Sequence, residues 1–548
     1  SIWVLQACTV VPGMGNVERG AIYDGRDLRV GLNLTQGETQ ATNTTNFFAR
    51  LGYQLGATGR VDLIASRFEL KGDGDYVSVA GNRLTGLPTS SRHGTAPGKA
   101  AASRTESVAL SLTDSDLGGG NFVSQIFWNR THDTFGGEIN PIATFQDARI
   151  DPTERLFDQS ENQSRKIGAK ISYERAVPGF EALTLTAGFD ALHDKTAQLL
   201  IQTNRAWVPP SEFLSLAPFG QANLKLFDGK LRFAGGLRWE NVSIKIDDFR
   251  TLGSTTYRAC TVPPAAPVTP CGPSTYAGVA VSGGKPKFDD LLKNGGIIIE
   301  PWQGIRAYAS YAEGFTVPDI GRITRAVNRP NQDIDTFLDI APIVSNNREI
   351  GIELKRGPLD ASVTYFWSSS DKGQLLIANP GGIFDVQRQR VEIEGLEVSL
   401  RIQTPLPGLK VGLGYADLAG RYDSDSAAPD GIVDTDLDGT NISPDRFNVS
   451  GTYENGPFTA LFQTQFFLSR TFQGKINPDQ RNNFEGYAVS DLSLRYDTGR
   501  LGALTFAAQN LFDKFYIDYS SDTRLPTDNL SYFAGRGRTL TLSWDYRF

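Results

Sequence analysis

The stretch of this sequence with the clearest metal-ligand spacing is Asp434-Thr435-Asp436-Leu437-Asp438-Gly439, followed after five residues by Asp445. Carboxylates at alternate positions supply hard oxygen ligands, and the glycine permits the sharp turn of a calcium loop. The pattern predicts Ca²⁺ in the 424–445 loop, held by Asp434, Asp436, Asp438 and Asp445. Two features oppose it. The terminal Asp is shorter than the usual Glu, and the flanks have strand rather than helix character. Asp423, Asp425 and Asp430 add to the acidity, so a solvated acidic loop is the competing account. Asp73-Gly74-Asp75 is a second, smaller acidic patch.

Little else has the spacing of a reactive centre. His93, His132 and His193 are far apart and none sits at ligand distance in sequence from Cys or another His. There is no Gly-x-Ser-x-Gly elbow and no phosphate loop. The sequence therefore predicts no enzyme, and no required cofactor. Cys260 and Cys271 lie in a Pro-rich stretch with ten residues between them. A disulfide between them would add roughly 3 kcal/mol by restricting the unfolded chain and needs an oxidising compartment. Cys8 has no evident partner. The Leu5-Gln6-Ala7-Cys8 box lacks the basic and apolar regions of a lipoprotein signal.

The elements that position these residues follow from composition and periodicity. The chain has 548 residues, a net charge of −7, 57 glycines and 10% aromatics. The negative charge argues against a nucleic-acid partner. No apolar run approaches the roughly 20 residues of a spanning helix. Alternation dominates instead. Leu540, Leu542, Trp544, Tyr546 and Phe548 oppose Thr539, Thr541, Ser543, Asp545 and Arg547. Leu231, Phe233, Leu237 and Trp239 oppose Arg232, Arg238 and Glu240. Each is a strand with one apolar and one polar face.

Strand-like segments are joined alternately by tight and long links. The tight ones are rich in Gly and Pro, as at Gly56–Gly59, Val177–Gly179, Phe227–Lys230 and Glu454–Pro457. The long ones run at about 13–44, 71–103, 134–160, 196–213, 247–283, 314–345, 371–387, 424–443, 471–484 and 513–534. Nine turns and ten loops give twenty strands, the first near Ile2–Val11. Short turns at one end and long loops at the other are the layout of a transmembrane antiparallel up-and-down β-barrel. Closure spares such a sheet its open edges in lipid. A propeller would show a repeat of about 40–50 residues, and none is visible. Inward charges such as Arg232, Arg238, Glu240, Glu349, Glu353, Asp545 and Arg547 would line a wet interior.

Several segments resemble the barrel of TonB-dependent outer-membrane receptors. Ala217–Phe227 with Gly235–Glu240 resembles a strand pair of that barrel. Tyr308-Ala-Ser-Tyr-Ala-Glu-Gly-Phe-Thr-Val-Pro318 looks like its Y-x-x-G-F-x-x-P upstroke. Asn346–Leu354 is similar to its N-x-E-x-G downstroke, Glu394–Val398 to its G-x-E strand, and Gln509–Tyr516 to its penultimate strand. Phe548 resembles the terminal aromatic signal of outer-membrane barrels. These motifs run in family order over 217–548; the likeness is looser over 1–216.

The resemblance implies a barrel of the 22-strand type, of which residues 1–548 would supply about twenty strands. The plug, its TonB box and the first strands are then expected before residue 1. It implies a multi-pass outer-membrane protein of a Gram-negative bacterium, importing a scarce nutrient with TonB acting on the plug. A ferric siderophore or similar iron complex is the first expectation. Aromatics and arginines high on the wall suit an anionic iron chelate. The candidates are Arg205, Trp207, Phe213, Phe315, Arg322, Arg325, Trp367 and Tyr516. Expected partners are outer-membrane lipid, the plug, the TonB complex and the ligand. The alternatives are cobalamin, an oligosaccharide or a plant-derived aromatic as cargo, a plugless passive channel, or an adhesion barrel.

Overall fold

The computed structural model describes the chain except residues 1–2, 6–7, 32–39, 96–97, 137–158, 253, 257–273, 277, 328–330, 337–341, 379–383, 426–429, 475–482, 525 and 547–548. Twenty long strands carry one sheet. The first seven are β1 (Cys8–Arg19), β2 (Thr42–Leu55), β3 (Gly59–Gly72), β4 (Ala102–Asp114), β5 (Asn121–Thr134), β6 (Ser160–Val177) and β7 (Phe180–Leu200). Next come β8 (Ala206–Leu226), β9 (Leu231–Ile246), β10 (Lys287–Trp302), β11 (Ile305–Thr316), β12 (Ile343–Arg356), β13 (Leu359–Ala378) and β14 (Phe384–Gln403). The last six are β15 (Leu409–Tyr422), β16 (Arg446–Asn455), β17 (Phe458–Phe467), β18 (Tyr487–Asp497), β19 (Ala503–Gln509) and β20 (Thr539–Asp545). Each pairs antiparallel with the next, from β1–β2 to β19–β20.

All nine tight turns fall where the Gly and Pro signals place them. At Phe227-Asp228-Gly229 the chain takes three successive positive φ values, 54°, 55° and 82°, which only a left-handed turn allows. Three boundaries differ from expectation. Residues 3–5 fold back on Cys8–Val10 as a short hairpin, so the first long strand is Cys8–Arg19 rather than Ile2–Val11. The expected loops at 196–213 and 371–387 are mostly strand: β7 and β8 are 21 residues each and β13 and β14 are 20. The strands that flank them are shorter, 18 and 16 residues beside β7 and β8 and 14 each beside β13 and β14. At the hairpin tips, far from the middle of the barrel, no apolar face is needed, and the alternation that marks a strand in sequence fades.

One face of the sheet is apolar. Leu237, Trp239, Leu291, Ile350, Ile352 and Val363 are exposed on it, and register places them side by side. The other face carries the paired charges, Arg50 and Arg60 on Asp62 at 2.8 Å, and Arg495 on Asp545 at 2.9 Å. Apolar outside and polar inside is the reverse of a soluble barrel and fits a lipid setting. The two ends of the sheet meet at the long-loop end. Gly537 N donates to Tyr23 O at 2.8 Å, Gly81 N to Asn529 O at 2.8 Å, and Thr89 bridges Phe533. Among the described residues no ladder joins β1 to β20.

Candidate functional site

Three strands aim a charged floor into the lumen. Arg238 and Glu240 on β9, Asp190 on β7 and Ser215 on β8 share the inner face. Arg238 Nη1 reaches Asp190 Oδ2 at 2.7 Å and its Nε reaches Glu240 Oε2 at 2.8 Å. Ser215 Oγ donates to Glu240 Oε1. Gly188 is required beside this group, since a Cβ there would lie 2.3 Å from the Phe219 ring. One guanidinium faces two carboxylates, so the floor keeps one net negative charge.

Above it lies a pocket of about 570 Å³, bordered by Phe127, Lys170, Phe213 and Phe315. Lys170, on β6, stands opposite Asp190 in the ladder; it has no ion pair within 4 Å among the described residues, and its charge offsets the excess negative charge of the floor. Apolar side chains close the pocket from above. Val242, Ile244 and Ile246 of β9 pack with Ile323, Val327 and Ile334. Ile323 belongs to α1 (Ile320–Ala326), a short helix in the loop after β11 that lies against β8 and β14. Thr324, fully buried, ties its hydroxyl to Ile320 O at 2.8 Å. Charged wall, aromatic border and helical roof make a partly enclosed binding space.

The expected ligand residues separate. Phe213 and Phe315 border the pocket and pack on its roof. Arg325 stacks on Trp207, 4.4 Å from guanidinium carbon to ring centre, and reaches Gln198 at 3.4 Å. This pair fastens α1 to β8. Arg205 Nε donates to Thr203 Oγ1 at 2.9 Å in the hairpin tip. Arg322 is in α1, its side chain outside the described ones. Trp367 does not face the lumen: it is opposite Arg348, on the face of Ile350 and Val363, beside Tyr365 at 5.7 Å. Tyr516 is packed in an aromatic cluster, its ring 4.4 Å from Tyr487, with Phe484 and Tyr519 adjoining. Burial raises its hydroxyl pKa. Lys170 and Phe127 were missed by the sequence reading, although inward alternation in β5 and β6 was the available signal.

The calcium motif does not converge. Asp434 accepts from Ser424, Asp436 pairs with Arg421 at 3.3 Å, Asp438 accepts from Thr440 N and Asn441, and Asp445 pairs with Arg470 at 2.8 Å. Asp436 is held in a short ladder against β15. Among the described residues, the one group of three carboxylates that lie within 4.8 Å of one another is Asp423, Asp425 and Asp430. Asp423 is buried and accepts from the Asp425 and Gly431 amides. Asp75 lies 3.8 Å from His93. Cys260 and Cys271, like Arg547 and Phe548, fall outside the described residues.

Comparison with known proteins agrees with this architecture. Residues 20–511 match the family model "TonB dependent receptor-like, beta-barrel". The chain is 20% identical to the ferric aerobactin receptor of Klebsiella pneumoniae, over 96% of this chain and 72% of that one. It is 23% identical to the rhizobactin receptor of Rhizobium meliloti, over 96% and 70%. Among solved structures, the FrpB iron transporter from Neisseria meningitidis superposes with a TM-score of 0.67 at 13% identity, over 99% of this chain and 77% of that one.

Proposed function

The chain belongs to the family of TonB-dependent receptor-like β-barrels, and on that premise we propose that it binds a ferric siderophore or similar iron complex and imports it across the outer membrane. Members of this family are receptors and transporters of the Gram-negative outer membrane, not enzymes. The two curated relatives are named for siderophores. The observation that carries the reading is the pocket itself, with the cations Lys170 and Arg238 beside three phenylalanine rings. A positive charge with flat apolar neighbours suits an anionic chelate with a broad organic shell. In the whole receptor a plug fills the lumen below the ligand, and TonB draws on the plug to open the path.

The experiment is equilibrium binding of an iron-loaded siderophore panel to the purified receptor. Lys170→Gln should weaken the cognate complex about tenfold, roughly 1.4 kcal/mol, and Phe213→Ala should weaken it further. Affinity unchanged in both variants would overturn the placement of the ligand in this pocket.

A further inference from the structure

The outer face carries a site the import reading does not use. Across β4 to β8 one cross-strand row reads Glu106, Arg130, Arg165, Lys195, Glu212. The row one step nearer the barrel middle reads Val108, Trp128, Ile167, His193, Leu214. Ile167 is 52% exposed and Ile126, two residues further along β5, is 60% exposed. A Trp at the edge of such a band marks the membrane–water boundary. The cations thus stand one strand repeat above it, about 7 Å, at headgroup height.

Three cations in consecutive cross-strand positions are an unfavourable arrangement on their own, because like charges directly opposite repel. The ends of the row are relieved. Lys195 Nζ lies 2.7 Å from Glu212, and Glu106 stands opposite Arg130 although it also faces Arg67 at 3.7 Å. Arg130 Nε donates to His132 Nε2 at 2.9 Å, and the other ring nitrogen of His132 meets Glu161 at 3.2 Å. Arg165, in the centre, has no hydrogen bond or ion pair among the described residues. A groove of about 680 Å³ runs here, bordered by Trp128, Arg130, Arg165, Lys195 and Pro210. The row holds three cations to two carboxylates, and its central cation is the one without a partner among the described residues.

We infer that this groove binds a phosphate-bearing lipid of the outer leaflet. The phosphate sits among Arg130, Arg165 and Lys195, and the acyl chains run down over Trp128, Ile167 and Leu214. Arginine forks suit phosphate oxygens, and each basic group beside an anionic surface contributes about 1 kcal/mol, a factor of about five in affinity. The inference takes from the proposed function only that the barrel sits in the outer membrane; it stands or falls independently of the imported cargo.

The test is binding of bisphosphorylated lipid A to the delipidated, detergent-solubilised receptor, read by native mass spectrometry. The combined variant Arg130→Gln, Arg165→Gln, Lys195→Gln should lose affinity by about a hundredfold, and Arg165→Gln alone by about fivefold. Lys166→Gln, on the same strand but facing the lumen beside Asp194, should bind as the parent does and shows that the barrel is intact. Equal binding of the same lipid stripped of its phosphates, or full binding by the combined variant, would overturn the inference. So would inorganic phosphate that displaces the lipid at micromolar concentration, since that assigns the groove to the free anion.

Discussion

The Nε of Arg83 donates to the backbone carbonyl of Asp528 at 2.7 Å, joining two loops 445 residues apart in sequence. The same guanidinium donates to the Asp522 carbonyl at 3.2 Å and to that of Ser521, and lies 4.6 Å from the centre of the Tyr532 ring. These loops follow β3 and precede β20, near the two ends of the sheet. The clasp draws those ends together where no ladder joins them among the described residues.

Arg83→Ala should therefore weaken barrel closure by roughly 3 kcal/mol, the scale of losing several charge-assisted hydrogen bonds and leaving carbonyls unpaired. The folded band on an unheated denaturing gel should disappear at a lower temperature. Arg83→Lys should restore only part of the loss, since an ammonium lacks the planar fork.

The helix over the pocket depends on Trp207 and Arg325. Trp207→Ala removes the aromatic face under the guanidinium, an interaction of about 1 kcal/mol. Limited proteolysis should then cut within 317–342 faster than in the parent, while Trp207→Phe stays close to it. Equal cleavage of all three would show that α1 is held by the apolar roof alone.

Gly535 lies against Tyr516: a Cβ there would come within 2.0 Å of the ring. Gly535→Ala should expel Tyr516 from its cluster and expose the loop before β20 to protease. Tyr516→Ala should destabilise that loop by about 3–5 kcal/mol, as for other large aromatic deletions. Siderophore affinity should fall only as far as the loop unfolds.

Burial raises the carboxyl pKa of Asp522, with the charge of Arg83 pulling the other way. The folded loop then holds this proton more tightly than the unfolded chain does. The resulting stability is present at low pH and is lost as pH rises from the ordinary value of 3.8 through the raised one. Asp522→Asn should raise the melting temperature at pH 7 and flatten its dependence on pH above about 4. A lower melting temperature at pH 7 would mean that attraction to Arg83 outweighs burial.

The strands and tight turns were legible because their signals are local. Gly56, Gly179, Gly229 and Gly456 all adopt positive φ at turns the sequence marks. The tall hairpins were not, since residues 206–213 lie above the apolar band and show no contrast between faces. Trp367 was misplaced although the evidence was present: Val363, Tyr365 and Trp367 form a period-2 apolar run, which puts all three outside. The partners of the acidic motif were not legible, because Asp436 and Asp445 pair with arginines from other segments. Lys170 could be valued only once its place beside the pocket was visible.

Uptake of radio-iron bound to siderophore is the most direct measure of the central claim. Cells carrying the full-length receptor, in a background without other siderophore receptors, should accumulate iron from at least one siderophore, and deletion of TonB should abolish it. Iron accumulation equal with and without the receptor across the panel, or unaffected by loss of TonB, would contradict it.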